Sequence, residues 1–185
     1  MEKDESCYCR FLNGDESGLR ALMERYGNCL TLYINGYIHD LDEAEDLMIE
    51  AFSRITVKKP RFEDNGFKPY LYKTARNLAL RHGKKHRLHP CFGGEDLENE
   101  IDSKQLIEDI ILTEEQTSIL HLSMHKICQN YREVLYLIYF EGMSYEQAAT
   151  VMKKTIKQVA NLVYRGKQAL RPILEKEGIT NENYR

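Results

Sequence analysis

The chain has 185 residues, of which 42% are hydrophobic and 30% are charged, and its formal net charge is −3. This length accommodates one domain or two small ones, with packed cores of modest size. No run approaches the roughly 20 apolar residues of a membrane span, and the acidic N-terminal segment lacks the apolar region of a signal peptide. We therefore expect a cytoplasmic protein.

The polar residues do not indicate a metal site or catalysis. The five cysteines are scattered and odd in number, which is typical of reduced thiols (Cys7, Cys9, Cys29, Cys91, Cys128). Cys7 and Cys9 are too close together for ordinary zinc-ligand spacing, and no histidine pair lies at a suitable distance. No Ser/His/Asp or Cys/His arrangement and no glycine-rich phosphate loop stands out. We expect no metal, no cofactor and no enzymatic activity.

Helical periodicity dominates the first part of the chain. Apolar residues recur three and four positions apart over residues 15–39, and Gly27 predicts a break between two helices there. Asp42 and Glu45 resemble a capping box that opens the next helix. That helix combines a continuous apolar stripe with an acidic face. Acids favour the first turn of a helix, but the surplus at Asp46 and Glu50 indicates a basic protein partner.

A loop over residues 58–66 and a basic helix over about 67–85 follow. Tyrosines alternate with cations in this helix, a pattern that suits single-stranded nucleic acid because bases stack on rings while cations follow the phosphates. Taken singly, Tyr70 and Tyr72 are more simply explained as ordinary half-buried tyrosines.

Charge is distributed in blocks that the net charge hides. Residues 65–94 contain no acid and carry +7, whereas residues 95–115 carry −8. We interpret residues 89–112 as a linker. One hypothesis is that the acidic block lies against a basic face and suppresses DNA binding before a partner engages. The simpler alternative is a solvated acidic linker.

Residues 141–171 predict two short helices with a tight turn between them. Gly142 suits the left-handed residue after a helix, and capping boxes start at Ser144 and Thr155, each with a glutamine three positions later. Lys153 and Lys154 form the turn. We expect the second helix to bury one stripe (Ile156, Val159, Leu162, Val163, Leu170). We expect its other face to be basic, since the stretch from Lys153 to Arg171 contains cations and no acids (Lys153, Lys154, Lys157, Arg165, Lys167, Arg171). This combination indicates a helix-turn-helix that binds the DNA major groove, rather than a solvated basic helix.

The chain resembles the extracytoplasmic-function sigma factors of bacterial RNA polymerase. The first half carries GDESGLRALMERYG, DEAEDLMIEAFSRI and FKPYLYKTARNLAL, and the second carries YREVLYLIYFEGMSYEQAATVMKKTIKQVANLVYRGKQAL. The resemblance implies an all-α protein of two small helical bundles on a flexible linker, the C-terminal one with a helix-turn-helix. The implied domains are 1–88, which binds core polymerase and the −10 element; the acidic linker 89–112; and 113–185, which binds the −35 element.

The resemblance also implies roles for individual residues. Those implied to bind the polymerase core are on the acidic helix (Asp46, Leu47, Glu50, Phe52). Those implied to capture and melt the −10 element lie in the loop and basic helix (Arg61, Phe62, Asn65, Tyr72, Lys73, Arg76, Asn77). Those implied to read the −35 duplex lie on the last helix (Lys157, Gln158, Asn161, Tyr164, Arg165). The implied partners are core RNA polymerase, promoter DNA and an anti-sigma factor.

Several residues depart from the family pattern. Lys153 replaces a usual glycine in the turn and must either tolerate an awkward backbone or adjust the turn, while Ala160 and Leu162 replace common basic residues. Ile49 replaces a usual glutamine, and Tyr70 stands where tryptophan is common. Two alternatives stay open: a helix-turn-helix regulator that binds duplex alone, and a degenerate sigma-like protein that binds polymerase or a regulator without initiating.

Overall fold

The computed structural model describes residues 2–62, 65–85, 120 and 122–177. All secondary structure within these ranges is helical, which confirms the all-α prediction (α1 Asp4–Leu12, α2 Glu16–Ile38, α3 Leu41–Lys58, α4 Phe67–Lys85, α5 Gln129–Leu135, α6 Tyr145–Met152, α7 Ile156–Lys176). Tyr136–Phe140 continues α5 as a short π-helix. None of these helices has the length and apolar character to cross a bilayer. The predicted linker and its acidic block lie outside the described residues.

The described residues divide into two compact units, with α1 to α4 in the first and the helices from α5 onward chiefly in the second. In the first unit, α2 contacts α1, α3 and α4. Its inward positions recur every three or four residues, so one stripe of the helix is buried (Leu22, Tyr26, Leu30, Tyr33, Ile34, Tyr37). This stripe is the centre of the first core.

The predicted break at Gly27 is wrong, because α2 is continuous through that residue. One glycine in a helix interior costs about 1 kcal/mol. Full burial of a large apolar side chain contributes about 1.5–3 kcal/mol. Tyr26 and Leu30, on either side of Gly27, are both buried. Their burial requires an unbroken helix, and this outweighs the local preference of the glycine.

The predicted capping box of α3 is also wrong. The N-cap is Asp40, whose Oδ1 accepts the backbone N–H of Glu43 at 3.0 Å. Asp42 already lies in the first helical turn. The chain leaves α2 through His39 in a left-handed conformation (φ 58°), so the residue that immediately follows this turn takes the cap.

The sequence patterns did not reveal α1, which packs against α2. The contact is close at Gly18, where a Cβ atom would collide with the carbonyl oxygen of Cys7 and lie 2.9 Å from the backbone nitrogen of Phe11. The carboxylate of Asp4 accepts hydrogen bonds from Arg25 and Tyr26 of α2. Glycine at position 18 thus lets two backbones approach, and the polar contacts hold the start of α1.

The second unit confirms the local signals of the helix-turn-helix. Ser144 exchanges two hydrogen bonds with Gln147, at 3.0 and 3.2 Å. Thr155 forms the same capping box with Gln158 at the start of α7. Gly142 has the expected positive φ of 61°. Both helices therefore begin where the sequence predicts.

Three side chains of α7 differ in burial from the prediction, and one of them is Leu162, which was expected in the buried stripe and is half-buried. Ile156, expected in the buried stripe, is 49% exposed, because it is the first residue of the helix. Lys167, expected on the basic face, is only 4% exposed, with its Nζ 5.0 Å from the ring centroid of Tyr139. Gly166 explains this close packing, since a Cβ there would lie 3.2 Å from Leu135 of α5.

We predict opposite effects for two glycine-to-alanine changes in α2. Gly18→Ala should lower the free energy of unfolding by about 1–3 kcal/mol, because its methyl group collides with the α1 backbone. Gly27→Ala should leave it unchanged or raise it by up to about 1 kcal/mol, because its methyl group would lie 3.9 Å from Met48 Cε. Chemical denaturation followed by circular dichroism measures both. Equal effects of the two changes would contradict the close approach of α1 to α2.

The turn residue Lys153 has φ 56°, so of the two alternatives it tolerates the left-handed backbone. We expect Lys153→Gly to stabilise the helix-turn-helix by about 0.5–1 kcal/mol, because it removes the Cβ from a left-handed conformation. Lys153→Ala is the matched control, since it removes the charge and retains the strained Cβ. Hydrogen exchange of α6 and α7 measures the gain. Equal stabilisation by both variants would assign the effect to charge rather than conformation.

Candidate nucleic-acid and protein interfaces

The acidic face of α3 presents three of its four predicted docking residues. Asp46 is exposed, and Leu47 and Glu50 are half-buried. Glu50 Oε1 accepts hydrogen bonds from Arg54 Nη2 at 2.7 Å and Nε at 3.0 Å, one helical turn away. Phe52 is only 2% exposed and packs in the core. The Phe52 side chain therefore holds α3 against the core and is not on the surface in this conformation.

A contact at one end of α3 joins the acidic helix to the basic one. Nε2 of His82 in α4 lies 3.1 Å from Oε2 of Glu43 in α3. The two helices pack directly against each other. The contact between Glu43 and His82 therefore helps to hold the first turn of α3 beside α4.

The segment 59–66 between α3 and α4 presents Arg61 and Asn65 as exposed residues. Asn65 has φ 59°, a conformation that asparagine tolerates better than most residues. Phe62 is half-buried among aromatic rings, with its centroid 5.6 Å from that of Phe67 and 5.1 Å from that of Tyr70. The described residues of this segment, 59–62 and 65–66, therefore present two cations, Lys59 and Arg61, one amide and the edge of a ring cluster.

In α4 the predicted DNA-binding residues fall into two groups. Lys73, Arg76 and Asn77 are half-buried, and their spacing of three and four places them along one side of the helix. Tyr72 is fully buried, with its ring centroid 5.1 Å from that of Tyr33. Lys68 Nζ also lies 5.9 Å from the Tyr72 ring centroid. The Tyr72 ring thus belongs to the core and has no face available for a base in this conformation.

The outer side of α7 carries the predicted duplex-reading residues. Lys157 is exposed, and Asn161, Tyr164 and Arg165 are half-buried at helical spacing from it. Gln158 is also half-buried, but its Oε1 accepts the Thr155 N–H at 2.9 Å. The Gln158 side-chain oxygen is therefore part of the helix cap.

The sequence patterns missed two aromatic residues beside the segment 59–66, Tyr8 and Phe11 of α1. The Tyr8 hydroxyl donates a hydrogen bond to the Pro60 carbonyl oxygen at 2.9 Å. The Tyr8–Phe11 spacing of three places both rings on one side of α1, and this was the only available sequence signal. Within the described ranges, no group of three or more His, Cys, Asp or Glu side chains could hold a metal ion.

Two regions of the chain match known protein families. Residues 22–88 match Sigma-70 region 2, and residues 120–170 match Sigma-70, region 4. Together these matches cover more than half of the chain. The first contains the acidic face of α3, the segment 59–66 and α4, and the second contains α6 and most of α7.

The chain is also similar to curated relatives in sequence and to solved structures in fold. RNA polymerase sigma-H factor of Pseudomonas aeruginosa is 27% identical over 187 residues and covers 95% of each chain. ECF RNA polymerase sigma factor SigM of Bacillus subtilis is 24% identical, covering 87% of this chain and 97% of its own.

The fold is similar to that of CnrH in complex with the cytosolic domain of CnrY (TM-score 0.65, 18% identity, 95% of this chain and 99% of that chain). It is also similar to RpoE in complex with the anti-sigma factor NepR from Bartonella quintana (TM-score 0.59, 19% identity, 84% and 96%). Both sigma regions occur in this one chain, and the chain and these relatives cover nearly all of each other's length. The protein therefore belongs to the extracytoplasmic-function sigma factors, a family of non-enzymatic transcription initiation factors.

Proposed function

We propose that this sigma factor directs core RNA polymerase to specific promoters and helps to melt the −10 element. The observation that carries the proposal is the separation of three surfaces on helical scaffolds: an acidic one on α3, a mixed aromatic and basic one around α4, and a basic one on α7. A regulator that binds duplex alone needs only the third. We assign the first two to residues 1–88 and the third to residues 113–185, with 89–112 as the connection.

We propose that α3 binds the polymerase core through Asp46, Leu47 and Glu50. An exposed carboxylate beside a half-buried leucine suits a basic partner surface with an apolar centre. Because Arg54 already pairs with Glu50, that carboxylate is held in one orientation on the helix surface. Phe52 supports this surface from within the core.

We assign capture of the −10 element to the segment 59–66 and the accessible side of α4. Flipping a base out of the duplex costs a few kcal/mol, and stacking on an aromatic side chain offsets about 1–3 kcal/mol of this per base. Phe62 and Tyr70 are the half-buried rings beside the cations Arg61, Lys73 and Arg76. Asn65 and Asn77 add amide groups that can hydrogen-bond to base edges. Tyr72 contributes by supporting α4 from the core.

We assign −35 recognition to α7. Its N-terminal half carries Lys157, Asn161, Tyr164 and Arg165 on the side opposite the buried Val159 and Val163 stripe. A helix of this kind enters the major groove with its N-terminal residues against base edges. Because Gln158 also caps the helix, its contribution to base contact depends on its amide nitrogen.

We further infer that the free protein is held by an anti-sigma factor. Two structurally similar proteins have been solved as complexes, CnrH with the cytosolic domain of CnrY and RpoE with the anti-sigma factor NepR. The exposed apolar side chains Leu41 and Ile49 of α3 offer contact area on the same helix that we assign to polymerase. Competition for one surface would keep the sigma factor inactive until it is released.

The proposal is tested by run-off transcription with purified core polymerase. We expect the wild-type chain to initiate at a promoter selected from a random library. Asp46→Lys should weaken core binding by about tenfold or more, because it places a cation against a basic surface. Glu24→Lys is the matched control, with the same charge change at an exposed position of α2.

The same assay separates the alternatives. A regulator would bind duplex without the core enzyme, and a decoy would bind core without producing a transcript. Either result would contradict the proposed sigma activity.

Lys157→Ala should weaken binding of the holoenzyme to its −35 duplex, because one phosphate contact is lost. The slope of log affinity against log salt concentration should fall in magnitude by about 1, because binding then releases one counterion fewer. Arg171→Ala is the control on the same helix, since Arg171 is exposed and pairs with Glu175 at 3.1 Å. Affinity measured over a salt titration distinguishes them. Equal slopes for the two variants would remove Lys157 from the DNA interface.

A further inference from the structure

The helix α1 lies outside both regions that match the sigma families, yet it is built firmly into the first unit. Gly18 allows it to contact α2 closely, and Asp4 is hydrogen-bonded to Arg25 and Tyr26. The helix buries Cys7 and Tyr8, which are 0% and 4% exposed. A helix attached this way forms a rigid support for other residues that pack against it.

Lys59, Pro60 and Phe62 of the segment 59–66 also contact α1. Tyr8 donates its hydroxyl to the carbonyl oxygen of Pro60 at 2.9 Å. Lys59 Nζ lies 5.7 Å from the ring centroid of Phe11, one turn further along α1. Two consecutive residues of the segment are therefore held by two rings of α1, at the point where the chain leaves α3 with Lys59 at φ 44°.

The Tyr8 ring also reaches the aromatic side chains that follow. Its centroid lies 4.9 Å from that of Phe62 and 5.4 Å from that of Phe67. Aromatic pairs at such distances contribute a stabilising free energy in addition to that from the apolar area they bury. Burial raises the pKa of Tyr8 to about 12, with a smaller contribution from Tyr70, so the hydroxyl stays protonated and donates over the whole physiological pH range. Tyr8 thus contacts both the backbone and a ring of the segment.

We propose that α1, through Tyr8, is a positioning element that sets the conformation of residues 59–62 and thereby the sequence preference at the −10 element. The inference rests on the proposed function, since it assumes that this segment captures −10 bases. In this positioning role Tyr8 does not contact DNA. It acts through Pro60 and Phe62, because a loop held in its binding conformation loses less entropy when it binds and discriminates more sharply between bases.

The test uses holoenzyme reconstituted from the full chain and core polymerase, with promoter libraries randomised separately at the −10 and −35 elements. Tyr8→Ala should reduce the preference for the selected −10 sequence by about tenfold, because both the ring contacts and the hydrogen bond are lost. The −35 preference should not change. Tyr8→Phe keeps the rings and should reduce the −10 preference by about threefold. Cys9→Ser, at an exposed position of the same helix, is the control and should match wild type.

Measuring the −10 and −35 preferences separately distinguishes a positioning role from general instability. General instability would lower both preferences together. Equal losses at both elements, or a folded Tyr8→Ala variant with the wild-type −10 preference, would overturn the inference. If Tyr8→Ala does not fold, Tyr8→Phe decides: a threefold loss supports the inference and an unchanged preference overturns it. A wild-type chain without any −10 preference would instead overturn the proposed −10 function, and the positioning role with it.

Discussion

The packing of aromatic rings against α2 is the constraint on which the first unit depends. Tyr26 and Tyr33 of α2 meet Phe67 and Tyr72 of α4, with the Tyr33 and Tyr72 centroids 5.1 Å apart. Once these rings occupy the interior, the orientation of α4 about its own axis is set. Its remaining cations and Tyr70 must then lie toward the surface. The nucleic-acid surface that we propose is thus a consequence of which tyrosines the core uses.

Burial of one face of each amphipathic helix explains why an acidic protein can present basic surfaces. The formal net charge of −3 is an average over blocks of opposite sign. In α3 the carboxylates occupy the side opposite Ala51 and Ile55, which are fully buried. In α7 the cations Lys157 and Arg165 lie opposite the buried Val159 and Val163. Burial of one stripe on each amphipathic helix concentrates charge on its other side, so each surface carries its own sign whatever the sum.

The departures from the family pattern have identifiable structural consequences. Lys153 adopts φ 56° where glycine is usual, so the turn keeps its shape at an energetic cost. Ile49 is 49% exposed on α3 and replaces a polar residue, which makes that surface more apolar. Both α3 and α7 begin at caps set by local hydrogen bonds, at Asp40 and Thr155.

Sequence alone determined the all-α class, the family resemblance, the helix-turn-helix and its two capping boxes. These depend on periodicity and on contacts between residues three or four apart, which a single chain displays directly. It did not decide which of similar residues face inward. Only the tertiary structure placed Tyr72 in the core and Tyr70 at its edge, and it buried Lys167. It also revealed α1 and the contact of Tyr8 with Pro60, 52 positions along the chain. Such pairings join segments distant in sequence, so no local pattern predicts them.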